Sequence, residues 1–123
     1  MICIRIMRRE DGLDLFAHGH AGYAPRGQDV VCAGVSALLY GFIAYLEELL
    51  PIATAEGSEG ESPSLQVQDK DGVLSVHTRG MGGADLDGLE VIRAGLTLMA
   101  VAYPTCVMLD TNLHRKGDEY DFN

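Results

Sequence analysis

The most reactive chemistry in this sequence sits in two short runs, Gly19-His20-Ala21 and Asp29-Val30-Val31-Cys32-Ala33-Gly34. If Asp29 caps a helix that begins at Val30, Cys32 is the third helical residue. It then lies within the first turn, where unpaired backbone N–H groups and the helix dipole favour an anion. A cysteine thiol ordinarily ionises with a pKa of ~8.5, and a helix N-terminus or a neighbouring imidazolium lowers that value. Position therefore makes Cys32 the candidate nucleophile. A nucleophilic thiol needs a base that can also return a proton to a leaving amine, and histidine, titrating near neutrality, suits both steps. His20 sits at a predicted strand end, and the loop at 21–28 can fold back to bring it beside Cys32.

Blander readings exist for each residue. A cysteine among Val31, Ala33 and Gly34 is often a small core residue, and a lone histidine is as often structural as catalytic. His18 is read as lying on the sheet face or supporting the loop, and Asp29 as a cap before a third catalytic member. Ser36, one turn after Cys32, can bond within the site, although a helix-interior serine bonds backward to the chain by default. Ala33, Gly34 and Ala37 are expected to let the helix approach the sheet. Cys3 and Cys106 read as core thiols, and His77 and His114 as surface residues without partners. A rival from another class is a metal site, with His18 and His20 on one strand face and Cys32 as third ligand; no fourth ligand is evident.

The elements that must position these residues follow from periodicity. Residues 1–7 place Ile2, Ile4 and Ile6 opposite Cys3, Arg5 and Met7, the two-residue repeat of a half-buried strand. Asp11-Gly12 supplies a turn, and 13–18 alternate again, so the two pair as a hairpin. Gly22, Pro25 and Gly27 mark 19–28 as a mobile loop. From Val30, a helical stripe of Val31, Val35, Leu38, Leu39, Phe42, Leu46, Leu49 and Leu50 runs to Pro51, taken as its stop. A solvated loop is predicted over 53–63, then a hairpin from 65–68 and 73–78. A second helix at 85–103 carries Leu86, Leu89, Ile92, Leu96, Met99 and Tyr103, with Val91, Leu98 and Val101 outside the stripe, which implies deeper burial or a subunit contact. A strand at 107–111 precedes a polar tail, 112–123, predicted to be partly loose. The order ββαββαβ argues an α+β fold with two helices packed on one face of a mostly antiparallel sheet.

Composition bounds the rest. At 123 residues the chain suits one domain, 1–123. No window is predicted to cross a membrane, since Glu47, Glu48 or Arg93 interrupts each long apolar stretch. The first residues read as a strand and not as an export signal, so a cytoplasmic location is expected. Three cysteines at irregular spacing argue for free thiols and against a disulfide framework. Acidic residues outnumber Lys and Arg by 18 to 9, giving a net charge of −9, which disfavours nucleic acid and suits a basic polypeptide partner.

Gly19-His20-Ala21, Gly27, Asp29-Val30-Val31-Cys32-Ala33-Gly34 and Ser36 together resemble the signature of the ribosomal-processing cysteine protease (Prp) family, and the spacing from His20 to Cys32 matches that family's. The resemblance implies a two-helix, antiparallel-sheet fold, usually a homodimer. It implies a ribosomal protein precursor as substrate: large-subunit ribosomal protein twenty-seven, trimmed of a short N-terminal extension after an aromatic residue. By carry-over, Cys32 attacks the scissile carbonyl, and His20 acts as base and then acid. Ala21, Gly22, Tyr23, Ala24, Pro25, Arg26, Gly27 and Gln28 form a substrate loop that moves as the peptide enters. Backbone N–H groups near Cys32 are the expected oxyanion donors. No cofactor, metal, nucleic acid or membrane is called for. The non-enzymatic alternative is a ribosome-assembly module in which His20 and Cys32 only brace the loop.

Overall fold

One-sided burial organises the chain. A computed structural model describes residues 1–56 and 62–112. In β1 (Ile2–Arg8) the isoleucines at 2, 4 and 6 are buried, and in β2 (Leu13–His18) so are Leu13, Leu15 and Ala17. The two strands pair antiparallel with Ile4 opposite Ala17 and Ile6 opposite Leu15, which stacks both apolar rows on one face. β4 (Val73–Arg79) extends the row with Leu74, Val76 and Thr78 against β2, and β3 (Ser64–Lys70) forms the edge beyond it. Asp71 and Gly72 join β3 to β4 with φ of 55° and 78°, a two-residue turn whose left-handed backbone glycine supplies without strain. β5 (Val107–Asn112) lies parallel to β1 on the other edge. The sheet runs β3-β4-β2-β1-β5, mostly antiparallel, with element order ββαββαβ as predicted.

Both helices cover the apolar face. α1 (Val30–Glu56) buries Val31, Val35, Leu39, Phe42, Ile43 and Leu46, and α2 (Ala84–Ala102) buries Leu89, Ile92 and Leu96. Each such side chain removed from water contributes about 1.5–3 kcal/mol before entropy is counted, enough to hold two helices on a sheet. The helices run antiparallel in close contact through notches: Met99 over Gly34, Leu38 over Gly95 and Tyr45 over Gly88. Gly34 thus serves helix-to-helix contact, not the helix-to-sheet approach expected of it, and Ala33 and Ala37 are exposed.

Three further expectations need correction. Pro51 does not stop α1, which continues to Glu56. Proline removes only its own N–H bond to the carbonyl of Glu47, and that residue is exposed to water that can replace it. By length and composition, the stretch Val30–Ala55 is able to cross a membrane, contrary to the sequence reading. Here one stripe of it, Val31, Val35, Leu39, Phe42, Ile43 and Leu46, is buried in the core, while Val30, Tyr40, Tyr45 and Ile52 are exposed. His77 is neither isolated nor fully exposed: its Nδ1 lies 2.6 Å from Asp14 Oδ1, and its ring packs edge-on to Phe16 at 5.4 Å. Arg9 donates to the same carboxylate at 2.9 Å and to the carbonyl of Thr78 at 2.6 Å, tying the β1–β2 turn to β4. His114 and most of the predicted tail lie outside the described residues, whereas Asn112 closes β5 opposite Met7.

Behind that turn, Thr78 and Asp85 are buried at 1% and 2% exposure. The Thr78 hydroxyl donates to Asp85 Oδ2 at 2.6 Å and accepts the Leu13 N–H at 3.0 Å, so the carboxylate and the hydroxyl are both partnered.

Candidate active site

The first turn of α1 shows why the thiol stands where it does. Asp29 precedes the helix; its Oδ1 accepts the Cys32 N–H at 2.9 Å, and its carbonyl accepts the Ala33 N–H at 3.1 Å. This is a capped N-terminus with Cys32 as third residue, half-buried against the core and facing the dipole's positive end. The cap also gathers the loop. Asp29 Oδ2 accepts the Tyr23 N–H at 3.0 Å and the Ala24 N–H at 3.4 Å, while Gln28 N–H donates to Pro25 O at 2.9 Å. Hydrogen bonds from Cys32 N–H first, and from Tyr23, Ala24 and Val31 after it, hold the Asp29 carboxyl below its ordinary pKa against an opposing effect of burial.

The other half of the site comes from the sheet. β2 ends at His18, and Gly19, at φ 97°, turns the chain out of the strand. A Cβ there would lie 2.1 Å from the Met1 carbonyl oxygen, so only glycine lets the backbone pass the start of β1. His20 follows, exposed, and Ala21 is buried at 3%, pinning the loop's near end in the core. The loop's far side rests on α2, where Tyr23 meets Tyr103 edge-on with ring centroids 5.5 Å apart. Residues 21–28 therefore fold back between the strand end and the helix mouth. Among the described residues no hydrogen bond joins the His20 ring to Cys32, a separation common where catalytic contacts close only on a bound substrate.

Several readings change with this geometry. Ser36 is exposed and makes no backward hydrogen bond among the described residues. The described residues hold no group of three His, Cys, Asp or Glu placed around a metal ion, so His18, His20 and Cys32 do not form the rival site. The turn at Gly19 is the physical reason, leaving His18 in the sheet while His20 departs from it. Of the backbone N–H groups near Cys32, where oxyanion donors are expected, those of Cys32 and Ala33 are both bonded to Asp29. Tyr103, which braces the loop, went unnoticed as part of the site, since it shares the α2 stripe with ordinary core residues.

Comparison with known proteins gives this chemistry an activity class, the cysteine proteases. A family model described as Cysteine protease Prp matches residues 1–108, and the chain belongs to that family. Over 96 residues it is 31% identical to the ribosomal processing cysteine protease Prp of Mycoplasma pneumoniae, covering 78% of this chain and 84% of that protein. The protein of the same name from Mycoplasma genitalium matches over 33 residues at 46% identity, 27% of this chain and 33% of that one. Among solved structures, the fold is similar to the essential ribosomal processing protease Prp of S. aureus in complex with a covalently linked product peptide. That match has a TM-score of 0.68 and 23% identity, covering 91% of this chain and all 100% of that one. A Streptococcus mutans protein matches with TM-score 0.59 and 25% identity over 93% of this chain and 96% of that one.

Proposed function

We propose that this protease removes the short N-terminal extension of large-subunit ribosomal protein twenty-seven, with Cys32 as nucleophile and His20 as general base and then acid. The observation that supports the assignment is the capped first turn of α1, which holds half-buried Cys32 as the third helical residue while the same cap binds the loop that leads from His20. Cys32 Sγ bonds to the scissile carbonyl carbon as its proton passes to His20. The imidazolium then protonates the leaving amine, and water activated by His20 hydrolyses the thioester to free the thiol. The family's S. aureus structure with a substrate peptide supports a peptide ligand at this kind of site.

Peptide entry loosens the loop at 21–28 by breaking the Tyr23 and Ala24 bonds to Asp29 and the contact with Tyr103. Release of Asp29 from the first turn would return the Cys32 N–H to the reacting carbonyl oxygen. The net charge of −9 favours encounter with a basic ribosomal protein, an attraction that weakens with salt. The working form is a cytoplasmic homodimer joined through α2, where Val91, Leu98 and Val101 stand 72%, 69% and 74% exposed along one side. Sedimentation of Leu98→Glu as a monomer beside a dimeric wild type tests that contact.

The deciding experiment incubates the purified chain with the ribosomal precursor of its own organism and follows cleavage by mass spectrometry. Wild type is expected to cut once after an aromatic residue, whereas Cys32→Ala and His20→Ala do not. Cleavage by Cys32→Ala would overturn the assignment, and an intact precursor with wild type would favour an assembly role.

A further inference from the structure

The sheet face turned away from the helices carries a second grouping of a thiol with an imidazole. Alternation along β1, β2 and β5 buries Ile2, Ile4, Ala17 and Val107 under the helices. It therefore sends Cys3, His18 and Met108 to the open face. They lie side by side: Cys3 is the register partner of His18 on β2 and of Met108 on β5. All three line one concavity of about 370 Å³, together with Ile4, Arg5, Phe16 and Asp110. Cys3 is a free thiol, half-exposed, and neither it nor His18 has a hydrogen-bond partner among the described residues.

Opposed Cβ atoms on antiparallel neighbours, as with Cys3 and His18, stand about 4.5–5.5 Å apart, and Met108 flanks Cys3 on the parallel side. A thiol in the middle strand, flanked by an imidazole and a thioether, can thus close on one ion with metal–ligand bonds of about 2.0–2.3 Å. The donors are soft, and the surroundings offer little else. Asp110 is paired with Arg5 at 3.7 Å, and Phe16 supplies an apolar wall. A thioether beside a thiolate is a soft donor pair that suits copper(I), whereas magnesium and calcium call for oxygen ligands. We propose that Cys3, His18 and Met108 form a copper(I)-binding site on the open sheet face, separate from Cys32. On binding, the Cys3 thiol gives its proton to solvent as the Cu–S bond forms, so affinity rises with pH and no electron is transferred.

The test uses the full chain carrying Cys32→Ala, so that the helix-mouth thiol does not compete, titrated anaerobically with copper(I) against bicinchoninate. One equivalent per chain is expected, with X-ray absorption showing two sulfur ligands and one nitrogen. Cys3→Ser should weaken binding by at least about 100-fold, and His18→Gln and Met108→Leu by roughly 10-fold each, no less than the loss seen when a mere outer-shell partner of a metal ligand is removed. All three side chains lie outside the buried core, and circular dichroism of each apo variant verifies folding. Unchanged affinity in Cys3→Ser would overturn the proposal. Cys3-dependent binding that ignores both His18→Gln and Met108→Leu would overturn it too, because a thiol alone would then hold the ion.

Discussion

Replacing Thr78 by valine keeps its shape and removes only its hydroxyl. That hydroxyl has two partners: it donates to Asp85 Oδ2 at 2.6 Å and accepts the Leu13 N–H at 3.0 Å, with Thr78 and Asp85 exposed by only 1% and 2%. The orphaned N–H costs about 1–3 kcal/mol, and the lost bond to a carboxylate about 1.5–3 kcal/mol. Together the two losses centre on about 4 kcal/mol, or about 3–5 kcal/mol within the usual scatter. With a urea m-value of about 2 kcal/mol/M, the unfolding midpoint falls by about 1.5–2.5 M. Thr78→Ser keeps the hydroxyl and loses one methyl, costing about 1 kcal/mol. Thr78 sits five residues along β4 from Val73, the partner of His18, or about 16 Å from the strand end that leads to His20. Peptidase kcat/KM of the folded Thr78→Val protein should therefore match wild type. Urea curves for valine and serine variants within 1 kcal/mol of each other would refute the accounting.

Gly34→Ala and Gly12→Ala should differ in sign. At Gly34 the new Cβ meets only the flexible Met99 methyl at 3.1 Å, so helix propensity of up to about 1 kcal/mol is recovered; at Gly12 it lies 1.9 Å from the Thr78 carbonyl oxygen, and thermal melts should show a clear loss. Asp14 feels burial first, which raises its pKa, but bonds and charge from His77 and Arg9 together lower it below 3.8. A depressed folded pKa gives stability that is present above the unfolded value and lost as pH falls through the folded one, so Asp14→Asn should flatten the acid limb of a stability–pH curve. Asp29→Ala should speed hydrogen exchange at the Tyr23, Ala24 and Cys32 amides together, whereas Asp29→Asn keeps most protection; independent responses would separate cap from loop anchor. Raising ionic strength should lower kcat/KM on a basic peptide more than on a neutral one.

The strands and their faces were legible because burial here is one-sided, and Ile2-Ile4-Ile6 opposite Cys3-Arg5-Met7 declares it within a few residues. The helix cap was legible for the same reason: Asp29 and Cys32 lie within one turn. What stayed hidden depends on contacts far apart in the chain. His77 meets Asp14 through the β2–β4 register, 63 residues away, and no local pattern announces that pairing. Gly34 looked like a sheet contact because its partner, Met99, belongs to a helix whose path is set by tertiary packing. Pro51 shows a local rule outweighed, since one missing bond near an exposed helix end costs less than the turn beyond it returns. Nor could spacing reveal that the other oxygen of the capping carboxylate binds the loop amides of Tyr23 and Ala24.

Gly19 passing beneath the Met1 carbonyl has a practical consequence for anyone handling the protein. Residues fused ahead of Met1, such as a purification handle, would issue beside Gly19, one residue from His20 and two from Cys3, and an oligohistidine there would add foreign imidazoles near both. β5, by contrast, closes with Asn112 opposite Met7, at the end of the sheet away from Cys3 and His18.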